Sequence, residues 1–484
     1  MVDTVKPDLQ RTSPEQQGIS SSSLMQFFDA VDSQLHELHS VMLLRHGSVV
    51  AEGWWAPYGR ALPHMMFSLS KSFTSTAVGI AIAEGRFSLD DPVLSFFPDE
   101  TPAEFSEFLV AMRVRHLLSM STGQAVDTMM SMGPREDGKW TKGFFEVPVL
   151  HAPGTHFLYN TGATYMLSAI VQKTTGMKLL DYLEPRLFAP LGIEKATWQE
   201  SPQGISTGGF GLSVKTEDIA RFGQLYLQKG LWQGKQIVPA AWVEEATSFQ
   251  VSNGDNAASD WNQGYGYQFW RCLHNAYRGD GAFGQYCIVM PEQDAVLVIT
   301  GGIADMQPPL NLVWDILLPA MGHEALPDDD AAHDRLTAKL SALALPPVQG
   351  AASSPLSDTV SGRVYMLDTN DMRLESIAVD LTESLCTLKV KTAAGEETIR
   401  CGYGVWQMGH TTLFNEPWIL KALPIATSGA WTADDTFTMI VRLYETPFFQ
   451  TIVCHFNEDD LTVSVRVNVG FVPPETRLLT GHSV

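Results

Sequence analysis

The stretch from Phe67 to Gly85, FSLSKSFTSTAVGIAIAEG, constrains this chain more than any other. From Phe73 to Ala83 it holds only small or apolar side chains, so the helix it predicts has no charged face and must be enclosed on all sides. Such a helix needs a fold that wraps it, and a lysine at its start needs a reason. Ser68 and Lys71 stand three apart, about one turn from each other on one helix face. A lysine placed there can take the serine's proton, and the free N–H groups of a helix start favour the negative charge that develops. The spacing alone is weak, because Ser-x-x-Lys arises by chance about once in a chain of this size. A serine N-cap beside a lysine that reaches solvent is the plainer reading of those four residues. The remainder of the chain decides between them.

With 484 residues the chain is too long for one ordinary domain and suggests two. A capped helix from Pro14 to Val31 precedes a hairpin, VMLLRHGSVVAEGWW, that turns at His46-Gly47. Residues 124 to 150 form a long irregular segment with Met129, Met130, Met132, Trp140, Phe144 and Phe145, which either lines a pocket or plugs the core; Trp140 is the candidate for lining. A Pro-Gly turn then leads into Tyr159-Asn160-Thr161 and a helix carrying Met166, Leu167, Ile170 and Val171. A glycine-rich run from Gly204 enters a further helix at Thr216. Tyr265–Trp270, Ala276–Met290 and Ala295–Gly301 read as three strands, the last two forming a hairpin, and Asn311–Met321 reads as a closing helix. Residues 326–350 are rich in Asp, Ala and Pro and read as a linker with one helical pattern near His333 to Leu343. Within 351–484, segments such as VYML, CTLKVK, TFTMIVRLYE and LTVSVRVNV alternate at regular spacing, which predicts a separate antiparallel barrel or sandwich.

The 54 acidic against 32 basic residues give a net charge of −22, which argues against nucleic acid or an anionic membrane as partner. Met1 to Gly18 is polar and no apolar run reaches membrane length, so a cytoplasmic protein is expected. Five scattered cysteines, none in a C-x-x-C pair, predict reduced thiols. His36 and His39 fall three apart on a predicted helix and read as surface residues, not metal ligands. Gly204-Ile205-Ser206-Thr207-Gly208 matches a nucleophile elbow but lacks the strand before it and the helix after it. No metal or organic cofactor is implied.

Three pieces stand in order: Ser68-x-x-Lys71, Tyr159-Asn160-Thr161, and Tyr277-Arg278-Gly279-Asp280-Gly281-Ala282-Phe283-Gly284. With the flanking MFSLSKSFTS, VRHLLSMSTG, PGTHFLYNTG and GAFGQYCIVMPE, they resemble the serine β-lactamase and penicillin-binding-protein superfamily over residues 14–325. The resemblance is strongest to class C β-lactamases and their esterase and amidase relatives. It implies an α/β fold of the α+β type, with an antiparallel sheet flanked by helices and a helical lobe, as domain 1–325. It also implies Ser68 as acylated nucleophile, Lys71 and Tyr159 as proton-handling partners with either as general base, and an oxyanion hole from the N–H groups of Ser68 and Ala282. Gly281 would permit the close approach that hole needs. Asn160, Thr161, Gly279 and Asp280 would line the substrate.

Two positions depart from the pattern. Thr161 stands where asparagine is expected, and a hydroxyl there can still bond Lys71 or substrate. Gly279-Asp280-Gly281 stands where Lys-Thr-Gly or His-x-Gly is expected, so the base that holds a substrate carboxylate is missing and Asp280 would repel one. Arg278 should face away from Gly279 on an alternating strand. The expected reaction is hydrolysis of an ester or amide in a small-molecule or short peptide-like acyl substrate. A true β-lactamase and a catalytically silent binding scaffold are the alternatives, and the β domain is a candidate for pairing protomers into a homo-oligomer.

Overall fold

The computed structural model describes residues 9–414 and 422–484; the polar start lies outside it as far as residue 8. The chain divides into two compact units. The first takes the chain up to Trp54, then Arg60–Gly301 and Asp305–Ser341. The second takes Trp55–Gly59, Gly302–Ala304 and Ala342–Val484.

The first unit is built on a six-stranded antiparallel sheet of β1 (Leu38–Arg45), β2 (Ser48–Trp54), β3 (Trp270–Arg271), β4 (Tyr277–Gly281), β5 (Gln285–Met290) and β6 (Ala295–Gly301), in the order β2-β1-β6-β5-β4-β3. His46 and Gly47 both have positive φ, as a two-residue hairpin between twisted strands requires. The stretch read as one strand from Ala276 to Met290 is two, because Phe283 and Gly284 adopt φ of 69° and 93° and reverse the chain. Most of Tyr265–Trp270 stays outside the sheet, since Gln268 has φ of 67° and only Trp270 extends into β3. Every residue of β1, β5 and β6 is buried, so the centre of the sheet is covered on both faces.

Five helices matter for the site or the unit's closure: α1 (Ser21–Gln34), α2 (Ser70–Ala83), α3 (Thr161–Thr175), α4 (Thr216–Leu227) and α5 (Asp330–Ser341). Helix α4 lies across β1, β5 and β6, with Gly223 set so tightly that an added Cβ would fall 2.5 Å from Val296 Cγ1. Helix α2 is buried from Ser70 to Ala81, as the charge-free run from Phe73 onward demands. Three of its hydroxyls tie it to the surrounding chain: Ser72 donates to Gln268 O, Thr74 donates to Gly208 O, and Thr76 pairs with Tyr226. The segment expected as a linker contains α5, which packs on α1 through buried Ala332 and Leu336 while Lys339 reaches Asp29 and Asp32, each at 2.7 Å.

His39 corrects an expectation. Helix α1 ends at Gln34, His36 turns the chain with φ of 51°, and His39 sits inside β1, fully buried, its Nδ1 2.9 Å from His64 Nε2.

The second unit is a barrel. Its strands are β7 (Val364–Leu367), β8 (Leu374–Leu381), β9 (Leu385–Thr392), β10 (Gly395–Gly402), β11 (Gln407–Thr411), β12 (Leu423–Ala433), β13 (Thr436–Arg442), β14 (Phe449–Asn457), β15 (Asp460–Val467) and β16 (Arg477–Ser483). They pair antiparallel in the order β10-β9-β8-β7-β16-β15-β14-β13-β12-β11. A parallel contact between Gly402 of β10 and Ser428 of β12 closes the ring. Alternate residues such as Phe437, Met439 and Val441 fill the interior, and closure removes the exposed edges an open sheet would leave.

Candidate active site

Ser68 occupies the 3-10 turn Phe67–Leu69 that feeds α2 and is half-buried. Phe67 before it has φ of 46°, a left-handed conformation that costs a non-glycine residue energy and persists only where packing enforces it. Its ring meets Phe283 edge-on at 5.3 Å. These two phenylalanines flank Ser68 and Ala282. Neither the Ser68 N–H nor the Ala282 N–H has a hydrogen-bond partner among the described residues. Strand β4 reaches this turn because Gly281 has no side chain: a Cβ there would collide with the Met66 carbonyl oxygen.

Lys71 is the second residue of the buried helix α2, with 1% exposure. Its Nζ lies 3.0 Å from Ser68 Oγ, 2.8 Å from Gly209 O and 3.3 Å from Thr161 Oγ1. Burial lowers its pKa to about 7, against the pull of the Asp127 and Asp280 carboxylates in the other direction. Tyr159 presents its ring 4.8 Å from the same Nζ. Its phenol is held protonated far above the usual tyrosine range, first by burial and then by Asp280, while Ser68 within polar reach pulls the other way.

Ser68, Lys71, Tyr159, Thr161, Gly281 and Ala282 therefore converge. Asn160 does not line the opening: it is fully buried, caps α3 by accepting from Ala163 N–H, takes two bonds from Thr128 and donates to Gln124. Its amide is consumed in pinning residues 124–128 to α3. Trp140 lies in the helical lobe against Tyr165, ring centroids 5.3 Å apart, half-buried and packed against the core. Gly279 faces α2, where a Cβ would come within 2.5 Å of Leu69 Cδ1 and 2.6 Å of Ser72 Oγ. A side chain at that position would have to displace these two buried neighbours. Arg278 and Asp280 share the opposite face of β4 and are paired at 2.7 Å.

Three contributors escaped sequence reasoning. Gly209 supplies the carbonyl that fixes Lys71, and only glycine fits there, since a Cβ would lie 2.8 Å from Thr161 Cγ2. Asp127 accepts from Met129 N–H and from the N–H groups of Thr161 and Gly162 at the start of α3, and its charge acts on Lys71. Trp270 stacks on Tyr159 at 5.5 Å and 20°. The glycine pair 208–209 was a legible signal; the other two depend on loop conformation. The elbow-like serine, Ser206, is buried and its carbonyl accepts from Ser168, so it offers no nucleophile.

The family model described as Beta-lactamase matches residues 32–302. The chain belongs to this beta-lactamase family. Within the family it is 26% identical over 276 residues to the 6-aminohexanoate-dimer hydrolase of Paenarthrobacter ureafaciens, covering 53% of this chain and 70% of that protein. It is 25% identical over 314 residues to penicillin-binding protein 4 of Amycolatopsis lactamdurans, covering 57% and 80%. Among solved structures, the octameric penicillin-binding protein homologue from Pyrococcus abyssi superposes with a TM-score of 0.50 at 16% identity, covering 95% of this chain and 99% of that one. That likeness is one of fold, and it extends beyond the beta-lactamase region. Among the described residues, no group of three or more His, Cys, Asp or Glu could hold a metal ion, and no helix is long and apolar enough to cross a membrane.

Proposed function

We propose that this chain is a serine hydrolase that cleaves an ester or amide through an acyl-enzyme on Ser68. The observation that carries this reading is Lys71 Nζ, 3.0 Å from Ser68 Oγ and shifted by burial to a pKa of about 7. A neutral lysine has two N–H donors and one lone pair. Gly209 O and Thr161 Oγ1 take the donors, which leaves the lone pair for the Ser68 proton. Because Tyr159 is held protonated, Lys71 is the base and Tyr159 the acid that returns a proton.

Ser68 Oγ bonds to the substrate carbonyl carbon as its proton passes to Lys71. The resulting oxyanion is received by the N–H groups of Ser68 and Ala282. The bond to the leaving group then breaks, and that group takes a proton through Tyr159, which is replenished from Lys71. Water repeats the attack on the acyl-enzyme, gives its proton to the same pair, and releases the acid and free Ser68.

The substrate class follows from charge. A side chain at position 279 would have to displace Leu69 or Ser72, and the neighbouring cation, Arg278, is already paired with Asp280, so the strand offers no base to a substrate carboxylate near the scissile bond. Neutral or cationic small-molecule or short peptide-like acyl groups suit the site better than a β-lactam with its carboxylate, and a relative named as a hydrolase of the 6-aminohexanoate dimer fits that preference. A cytoplasmic setting belongs to the same proposal, supported by five free, buried cysteines. Homo-oligomer formation also belongs to it, and light scattering reads it directly.

The test is intact-mass analysis after treatment with an active-site phosphonate. Stoichiometric labelling that vanishes in Ser68→Ala, alongside turnover of p-nitrophenyl esters or amino-acid anilides and slow turnover of nitrocefin, supports the proposal. Labelling or turnover that persists in Ser68→Ala overturns it.

A further inference from the structure

Arg278 is fully buried, and a guanidinium is costly to enclose unless its charge and donors are met. Its Nε donates to Asp280 Oδ2 at 2.7 Å, and its Nη1 donates to Asp260 O at 3.1 Å and Cys272 Sγ at 3.0 Å. Nη2 has no partner among the described residues. The planar group lies 4.4 Å from the Trp261 ring centroid and 5.5 Å from that of Trp270. Trp261 is itself fixed by donating to Gln307 at 2.9 Å. Trp270 also packs against Tyr265 and Trp261, with ring centroids 5.0 and 5.3 Å away, and stacks on Tyr159 at 5.5 Å. A continuous layer thus runs from Trp261 through Arg278 and Trp270 to the phenol of the proposed proton relay. Nothing in the reaction as derived above uses Arg278.

Charge gives the second half of the argument. The charges that act on Lys71 are those of Asp127, from the segment before α3, and Asp280, from β4; its nearest neighbours are Ser68, Tyr159, Thr161 and the Gly209 carbonyl. Asp127 is met by three backbone N–H groups. Asp280 is met by Arg278, with Trp270 within polar reach. Were Arg278 absent, a buried and uncompensated carboxylate would act on Lys71 and favour its protonated, non-basic form.

We propose that Arg278 is a positioning residue for the hydrolytic reaction: from the far face of β4 it holds Trp270 against Tyr159 and cancels the charge of Asp280 before that charge acts on Lys71. This inference rests on the serine-hydrolase reading of the site. It assigns the electrostatic setting of the base to a side chain that touches neither substrate nor nucleophile. It also gives Asp280 a place in a site that would otherwise be harmed by it.

The experiment compares wild type with Arg278→Met, Arg278→Lys, Asp280→Asn and the double variant Arg278→Met/Asp280→Asn, reading kcat/KM against pH, phosphonate labelling and thermal midpoint. Arg278→Met should move the acid limb of kcat/KM up by about one pH unit, a loss of about fivefold at pH 7 that approaches tenfold below pH 6 and is recovered near pH 9. Asp280→Asn should move the limb below that of wild type, and the double variant should bring it back between the two. Arg278→Lys keeps the charge but not the planar stack, so it should lower kcat while leaving the limb in place. A limb that stays fixed in Arg278→Met and in Asp280→Asn, with only the thermal midpoint changed, overturns the proposal. If Arg278→Met does not fold, Asp280→Asn decides alone by whether its limb moves. Labelling of Ser68 separates the two readings: if it is absent in wild type the hydrolase reading fails, and if it is present with unmoved limbs only the role of Arg278 fails.

Discussion

Replacing Lys71 with methionine should abolish activity and yet stabilise the folded chain at neutral pH. Between a folded-state pKa of about 7 and the ordinary lysine value of 10.5, the unfolded chain holds a proton that the folded chain lacks. Wild-type stability therefore rises with pH across that window, and the burden of the buried ammonium is fully present below pH 7. The whole interval corresponds to about 5 kcal/mol at ~1.4 kcal/mol per pH unit. Methionine removes that burden but leaves the Gly209 carbonyl without its donor, a cost of about 1–3 kcal/mol for a buried acceptor. The net expectation at pH 6 is a variant more stable than wild type by about 2–4 kcal/mol. Between pH 7 and 9 the advantage should shrink by about 2–3 kcal/mol as wild type recovers. Paired guanidinium unfolding curves at pH 6, 7, 8 and 9 measure this, because the unchanged barrel cancels in the difference. The acid limb of wild-type kcat/KM should fall near pH 7 in the same buffers. Parallel stability curves for the two proteins from pH 7 to 9 would refute the reasoning, since Lys71 would then keep its proton throughout and could not be the base.

Four further outcomes follow from the same geometry. Ser68→Ala should lose all phosphonate labelling and lower turnover by at least about three orders of magnitude, measured with a p-nitrophenyl ester. Tyr159→Phe should keep the label on Ser68 but lower kcat by about 10²- to 10⁴-fold, because the leaving group loses its acid while Lys71 remains free to activate the serine. Gly279→Ala should destabilise the fold by about 1–3 kcal/mol through contact with Leu69 and Ser72, seen in the thermal midpoint. Gly279→Lys should likewise fail to create nitrocefin turnover, since the new side chain would have to displace the same two neighbours.

What the sequence revealed of the site, and what it concealed, divides along one physical line. The nearness of Ser68 and Lys71 was legible because a three-residue spacing at a helix start converts directly into geometry, whereas Tyr159 entered only through the family resemblance. The enclosed α2 was likewise legible from local pattern, and so were most barrel strands. Strands β11, β12 and β16 were missed because Gly, Pro, Thr and His interrupt their alternation, and barrel closure, not local pattern, holds them extended. Asn160 was misplaced because one residue of register at a helix start separates a side chain that caps from one that faces the opening. Asp280 shows the harder case. Its charge and its strand were both readable, but its effect on Lys71 depends on Arg278 two residues earlier, which shares its face only because the strand alternates there without a bulge. A carboxylate at the mouth of a base is an obstacle or a tuned neighbour according to that single pairing. The function of the site is therefore set as much by which charges are cancelled beside it as by the residues that react.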